Sequence, residues 1–193
     1  EVPIPKGDII RTERGLEEAA EYVGFPLVIK PVNGNHGRGI TTNINSMDEA
    51  LIAFKEAKEI SRLVIVEKFI TGEDYRLLVI DNKLVAAAKR TPAHVIGDGK
   101  STIQQLVDEV NKDERRGYGH EKVLTEISIN SLTIELLKEN GMTPETIVPK
   151  GEFVKLKSTA NLSTGGTAED VTDLIHPYNI FMAERISKII GLD

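Results

Sequence analysis

Apolar and polar positions alternate with two different periods along this chain. "GLEEAAEYVGF" (15–25) is amphipathic at helical spacing, and Gly24 supplies a stop. "PLVIKP" (26–31) and "GITTNIN" (39–45) then read as strands, and Ser46 with Glu49 makes a capping box opening a helix to about Ile60. "LVIVEKFI" (63–70) is a nearly continuous apolar run ending in charge, the pattern of a strand buried on both faces. "DYRLLVI" (74–80), the turn "DNK" and "LVAAAKRT" (84–91) read as a hairpin. A polar stretch follows with helical candidates at 101–112 and 128–140. After it come a strand "EFVKLKS" (152–158) and the loop "NLSTGGTAED" (161–170). "HPYNIFMAERISKIIG" (176–191) closes the pattern as a helix, with Pro177 at a permitted first-turn position. Helices and strands are mixed, and there is no internal repeat.

A chain of 193 residues can bury a real core and fits one large domain or two small lobes. Cysteine is absent, which excludes disulfides and thiolate metal sites and favours a reducing compartment. No apolar run reaches membrane-spanning length, and "EVPIPKGDII" has neither the cationic nor the apolar region of a signal peptide. The expected location is therefore the cytoplasm, with no membrane partner. A net charge of −6 argues against nucleic acid, so an anionic ligand would need a local cluster of positive charge. The sequence lacks an initiator Met and stops at "IIGLD" after an apolar helix, so it is expected to be a segment of a longer chain.

One stretch offers such a cluster. In "VIKPVNGNHGRGI" (28–40) a strand ends on Lys30 and runs into a loop with Gly34, Gly37 and Gly39. Glycines let backbone amides approach a ligand, and successive exposed amides form an anion-binding concavity. Neither common phosphate motif is present. Gly39 is followed by Ile40 and Thr41 where a P-loop needs Lys and Ser or Thr, and the G-x-G-x-x-G spacing is missing. "GDGKST" (97–102) ends like a P-loop, but its first Gly would fall on His94. The plainer alternative is a mobile hairpin tip, with His36 and Arg38 merely solvated.

A second constellation follows in "VIVEKFITGEDYRLLVI" (64–80). A strand running into a short loop supplies the apolar slot and main-chain edge that an adenine ring needs. Asp74 is an acceptor for ribose hydroxyls, with Glu73 its nearest competitor; the alternative is a solvated acidic turn. Arg76 and Arg90 are candidates for gripping an anion, since a guanidinium engages two oxygens at once. Equally, they are solvated strand charges. Lys155 and Lys157 alternate with apolar residues, and one of them, taken as Lys157, is expected to reach phosphate.

Taken in order, "VIKP…GRGI" and "VEKFITGEDYR" resemble the ATP-grasp superfamily. That resemblance implies two α+β lobes with a nucleotide cleft between them, about 15–70 and 71–193, with an inserted helical segment near 91–150 and the C-terminal part truncated. It implies that Lys30 contacts the α- and β-phosphates of ATP. Asn33, Gly34, His36, Gly37, Arg38 and Gly39 would cover the γ-phosphate. Glu67, Lys68, Phe69 and Ile70 would line adenine, and Asp74 would take ribose. "RTPAHVIGDG" and "NLSTGGTAEDVTD" are similar to the ligase region of the cyanophycin synthetase family. This implies Asn161, Ser163, Thr164, Gly165, Gly166 and Thr167 as a substrate loop, with Arg76 and Arg90 catalytic. The partners implied are ATP, aspartate and a growing peptide polymer, in a homo-oligomeric full-length parent. Glutathione-forming bifunctional ligases carry similar strings, and a nucleotide-binding segment without turnover is the third reading. Mg²⁺ is implied as well. Its usual acidic ligands have no counterpart in this segment and are expected beyond Asp193, which would leave the fragment alone inactive.

Overall fold

The computed structural model describes residues 2–34, 38–119 and 121–191. The chain divides into two compact units, Glu1–Gly72 and Glu73–Asp193. Among the described residues, no helix is long and apolar enough to cross a membrane.

The first unit is an antiparallel sheet with two helices. Its elements are β1 (Gly7–Ile10), α1 (Glu13–Val23), β2 (Leu27–Pro31), β3 (Thr41–Ile44), α2 (Met47–Ile60) and β4 (Val64–Lys68), with strand order β1-β4-β2-β3. Leu16, Ala20 and Val23 of α1 and Ala50, Phe54 and Ala57 of α2 share one core with Leu27, Ile29, Val64 and Val66. Each residue of such a strand faces opposite to the next, so burying Leu27 and Ile29 turns Val28 and Lys30 to the other face. The same alternation holds in β4, where Val64 and Val66 are buried but Ile65 and Glu67 are only half-buried. The apolar run 63–70 is thus a strand with one covered face, not two. Its second face carries a half-buried floor of Val28 and Ile65 with Lys30 and Glu67 upon it.

The helix ends explain several polar residues. Thr12 caps α1 by accepting the Gly15 N–H at 3.1 Å. Its last turn holds no basic residue, yet its exit carbonyls meet two lysines from elsewhere. Lys6 donates to the Tyr22 carbonyl, while Lys68 donates to Gly24 at 3.0 Å and also to Phe25. In α2, Ser46 accepts the Glu49 N–H at 3.3 Å, but the Glu49 carboxylate returns to the amide of Asn45, one residue before the cap.

The second unit opens with the hairpin β5 (Asp74–Ile80) and β6 (Lys83–Thr91). Asp81 and Asn82 form its two-residue turn, both at positive φ (51° and 59°), a conformation that Asp and Asn tolerate better than most residues. Next come β7 (His94–Ile96), α3 (Ile103–Val110), the two-residue strands β8 (Arg116–Gly117) and β9 (Leu124–Thr125), α4 (Ser131–Glu139) and β10 (Phe153–Lys155). β7 pairs with β10, and the segment has its own core, including Val95, Ile103, Val107, Ile127, Leu137, Val148 and Leu156. The strand expected over 152–158 stops at Lys155. By register Lys157 would stand opposite Pro92, which has no N–H with which to extend the ladder.

The stretch read as one loop, 161–170, is half strand. Leu162–Thr164 is a 3₁₀ turn, and Thr167–Asp170 is β11, paired antiparallel with β6 in the order β11-β6-β5. α5 (Pro177–Ile190) ends the chain's described structure with His176 as its cap and Pro177 at its start. The strands β1 and β7 were not legible in the pattern. The mixed α+β class expected from the sequence is the class observed.

Candidate functional site

Lys30 and Glu67 occupy neighbouring strands on the uncovered face of the first sheet, and their side chains meet at 2.6 Å. The pair is partly sheltered. An ammonium has three donors, so Lys30 keeps two for an anion while Glu67 holds its position. Beyond β2, Asn33, Gly34 and Arg38 line a cavity of about 400 Å³ together with Glu59 and Ile60 of α2. Gly39 has φ +66°, and a Cβ there would stand 2.6 Å from the Ile60 side chain, so this end of the loop lies tight on the last turn of α2. His36 and Gly37 lie outside the described residues.

Past β4, Phe69 donates its N–H to the Pro26 carbonyl at 3.0 Å, and the Ile70 side chain is exposed. The ammonium of Lys68 is committed to the carbonyls after α1.

In the second unit, two residues predicted for separate roles are partners. Arg90 donates from Nε to Asp74 Oδ1 at 2.8 Å and from Nη2 to Asp74 Oδ2 at 2.9 Å. These hydrogen bonds, outweighing a small burial effect, hold the Asp74 carboxyl below its ordinary pKa. Register produces the pair. Ile80 faces Lys83, and an unbroken ladder would set Asp74 opposite Lys89; a bulge between Leu78 and Val79 moves it to Arg90. Glu73 then pairs with Lys89 instead, and accepts the Tyr75 hydroxyl at 2.7 Å. Arg76 lies two residues along from Asp74, on the same face and opposite Ala88. It is exposed and has no ion pair among the described residues.

β11 brings the glycine loop to the same sheet, with Ala168 opposite Arg90 and Thr167 opposite Thr91. The Asn161 carbonyl organises the loop by accepting the Thr164 N–H (3.1 Å), the Thr164 hydroxyl (3.0 Å) and the Gly166 N–H (3.1 Å). A Cβ on Gly166 would lie 2.8 Å from the carbonyl oxygens of both Asn161 and Thr91, so no other residue fits without moving backbone. Ser163 is left exposed while Gly165 and Gly166 are buried.

Lys157, expected from the sequence to reach phosphate, lies at the start of α4. Its ammonium donates to Asn130 Oδ1 at 3.0 Å and Thr133 Oγ1 at 2.8 Å at the start of α4, and burial lowers its pKa. The strand that would have aimed it with Lys155 has already ended. The P-loop-like "GDGKST" is also accounted for: Asp98 accepts the amides of Lys100 (2.8 Å) and Ser101 (2.7 Å), so these loop amides are already bonded to a carboxylate. The Ser101 amide, the Ser101 hydroxyl (2.7 Å) and the Lys100 amide together lower the Asp98 carboxyl pKa to about 2.

One buried polar residue was missed. Arg116, 6% exposed, donates from Nη1 to the carbonyls of Thr125 (2.6 Å) and Gly165 (3.0 Å). "RR" in a polar segment reads as solvated charge, and Arg115 is that, paired with Asp113 at 2.7 Å. Nothing in the sequence separates the two. Among the described residues, no three His, Cys, Asp or Glu side chains converge as a metal site would require.

The chain is 54% identical over all 193 residues to the cyanophycin synthetase of Trichormus variabilis, of which it spans 21%. It is 35% identical to the glutathione biosynthesis bifunctional protein of Streptococcus mutans, covering 98% of this chain and 26% of that protein. A crystal structure of a bifunctional glutathione synthetase from Pasteurella multocida superposes with TM-score 0.63 at 29% identity, over 98% of this chain and 26% of that one. The chain therefore spans between a fifth and a quarter or so of the proteins it is most usefully compared with. The likeness over nearly its whole length places its fold with the ATP-grasp ligases. The model for the D-ala D-ala ligase C-terminus matches residues 3–112, more than half of the chain, and the chain belongs to that family.

Proposed function

We propose that this chain is the nucleotide-binding part of an ATP-dependent carboxylate–amine ligase that adds aspartate to the polyaspartate backbone of an arginine/aspartate polymer. The observation that carries the reading is 54% identity, across every residue of the chain, to a cyanophycin synthetase. In the reaction a carboxylate oxygen attacks the γ-phosphorus of ATP, releasing ADP and forming an acyl phosphate. An amine then attacks the acyl carbon, and phosphate leaves as the amide forms. Such chemistry needs positioning and charge neutralisation more than a nucleophilic side chain.

The residues suit those needs. Lys30, with two donors to spare beside Glu67, and the loop of Asn33, Gly34, Arg38 and Gly39 would hold the triphosphate. Val28, Ile65 and the chain at Phe69 and Ile70 would face adenine. Arg76, exposed and without an ion pair among the described residues, would grip the carboxylate, with the Asp74–Arg90 pair fixing the strand beside it and Asp74 open to ribose hydroxyls. Asn161, Ser163, Thr164 and Thr167 would contact the peptide end. Mg²⁺ accompanies ATP in this reading, but no carboxylate set among the described residues fits it. The setting proposed is a cytoplasmic homo-oligomer.

The structural likeness to a glutathione synthetase supports a second reading, with a γ-glutamyl dipeptide and glycine as substrates. Intact mass of a short aspartate primer, incubated with the full-length protein, MgATP, aspartate and arginine, separates the two. Extension of the primer supports the first reading. A primer left unchanged while γ-glutamylcysteine gains glycine replaces it with the second.

A further inference from the structure

The segment between β6 and β10 has its own core, and one buried cation joins it to the glycine loop. Arg116 reaches the carbonyl of Thr125, beside its own short strand, and the carbonyl of Gly165, between the 3₁₀ turn Leu162–Thr164 and β11. Both partners are neutral. Its Nε is buried without a hydrogen-bond partner, and no carboxylate pairs with it among the described residues. Burial disfavours the charge and Asp113 attracts it without a direct bond, so the hydrogen bonds to these two carbonyls set where the guanidinium lies.

What the arginine fixes is a single peptide plane. The Gly165 carbonyl points to Arg116, and the N–H of the same peptide, on Gly166, points to the Asn161 carbonyl at 3.1 Å. Ile127 closes the third side: a Cβ on Gly165 would lie 2.7 Å from its side chain. Ile127 is itself held by Asn111, which donates to its carbonyl at 2.9 Å and accepts its N–H at 2.8 Å. With that plane anchored inward, the short turn before it presents Ser163 outward.

We infer that Arg116 is a positioning residue for the loop 161–167, setting its affinity for an anionic acceptor such as a peptide carboxylate without touching that acceptor. The inference rests on the proposed ligase reading. Arg116→Lys keeps charge but loses the reach to two carbonyls, and Arg116→Met removes the charge while keeping apolar bulk. In the full-length protein, Arg116→Met is expected to raise KM for the aspartate primer about tenfold, the scale of one lost charged hydrogen bond, with KM for ATP unchanged and partial recovery in Arg116→Lys. Both KM values rising together, or neither moving in folded variants, would overturn the inference.

Hydrogen–deuterium exchange keeps the two claims apart. If the wild-type protein extends no primer, the aspartate-adding reading fails by itself. Faster exchange confined to residues 161–167 in Arg116→Lys would then still support the positioning role. Unchanged exchange, or exchange raised throughout the core around Val95 and Leu137, would reject it.

Discussion

Asp74 and Arg90 face each other across the β5–β6 hairpin and join through two nearly parallel hydrogen bonds of 2.8 and 2.9 Å. The folded carboxyl has a pKa below its ordinary value of 3.8, so the pair contributes stability above that pH and loses it as pH falls through the folded pKa. Asp74 is 42% exposed, and solvent screening reduces the contribution to about 0.5–1 kcal/mol. Asp74→Asn should therefore unfold at lower urea than wild type at pH 7. The gap should close as the pH is taken well below 3.8; a gap that persists in acid would mean the pair is not its origin.

Gly166 is hemmed in by backbone on two sides, whereas Gly141, at φ +69°, has open space where a Cβ would go. Gly141→Ala should cost about 1 kcal/mol, from backbone conformation alone. Gly166→Ala should cost about 2–3 kcal/mol, because carbonyl oxygens at 2.8 Å must move. Denaturant titration of both variants checks the order, and equal losses would contradict the packing described for the loop.

Lys157 donates to Asn130 and Thr133 at the first turn of α4. Lys157→Met should lower stability by about 1 kcal/mol through the lost hydrogen bonds and leave ATP affinity as it is. A clear loss of nucleotide binding in a stable variant would return Lys157 to the phosphate role expected from its sequence.

Much of the architecture is written in local patterns. The α1 and α2 boundaries follow from Thr12, Gly24 and Ser46, whose effects reach only one turn, and the hairpin follows from Asp81-Asn82. Pairing over longer distances is not written that way. β11 is a strand because Thr91 and Arg90 lie beside it, though its own "TAED" has no strand signal. The two readings of Asp74 and Arg90 as independent groups missed a bulge of one residue, which no composition rule locates. Arg116 and Arg115 are neighbours of one type with opposite surroundings, and only the fold around Gly165 and Thr125 distinguishes them.

The ligase reading depends most on Lys30. Its bond to Glu67 joins two partly exposed side chains, so Lys30→Ala should keep the fold within about 1 kcal/mol of wild type. Titration calorimetry of the full-length protein with a non-hydrolysable ATP analogue, wild type against Lys30→Ala, is the most direct test. The account predicts a loss of affinity of about tenfold or more, as for a deleted charged hydrogen bond to phosphate. Equal affinity in a folded Lys30→Ala protein would contradict the placement of ATP on this face.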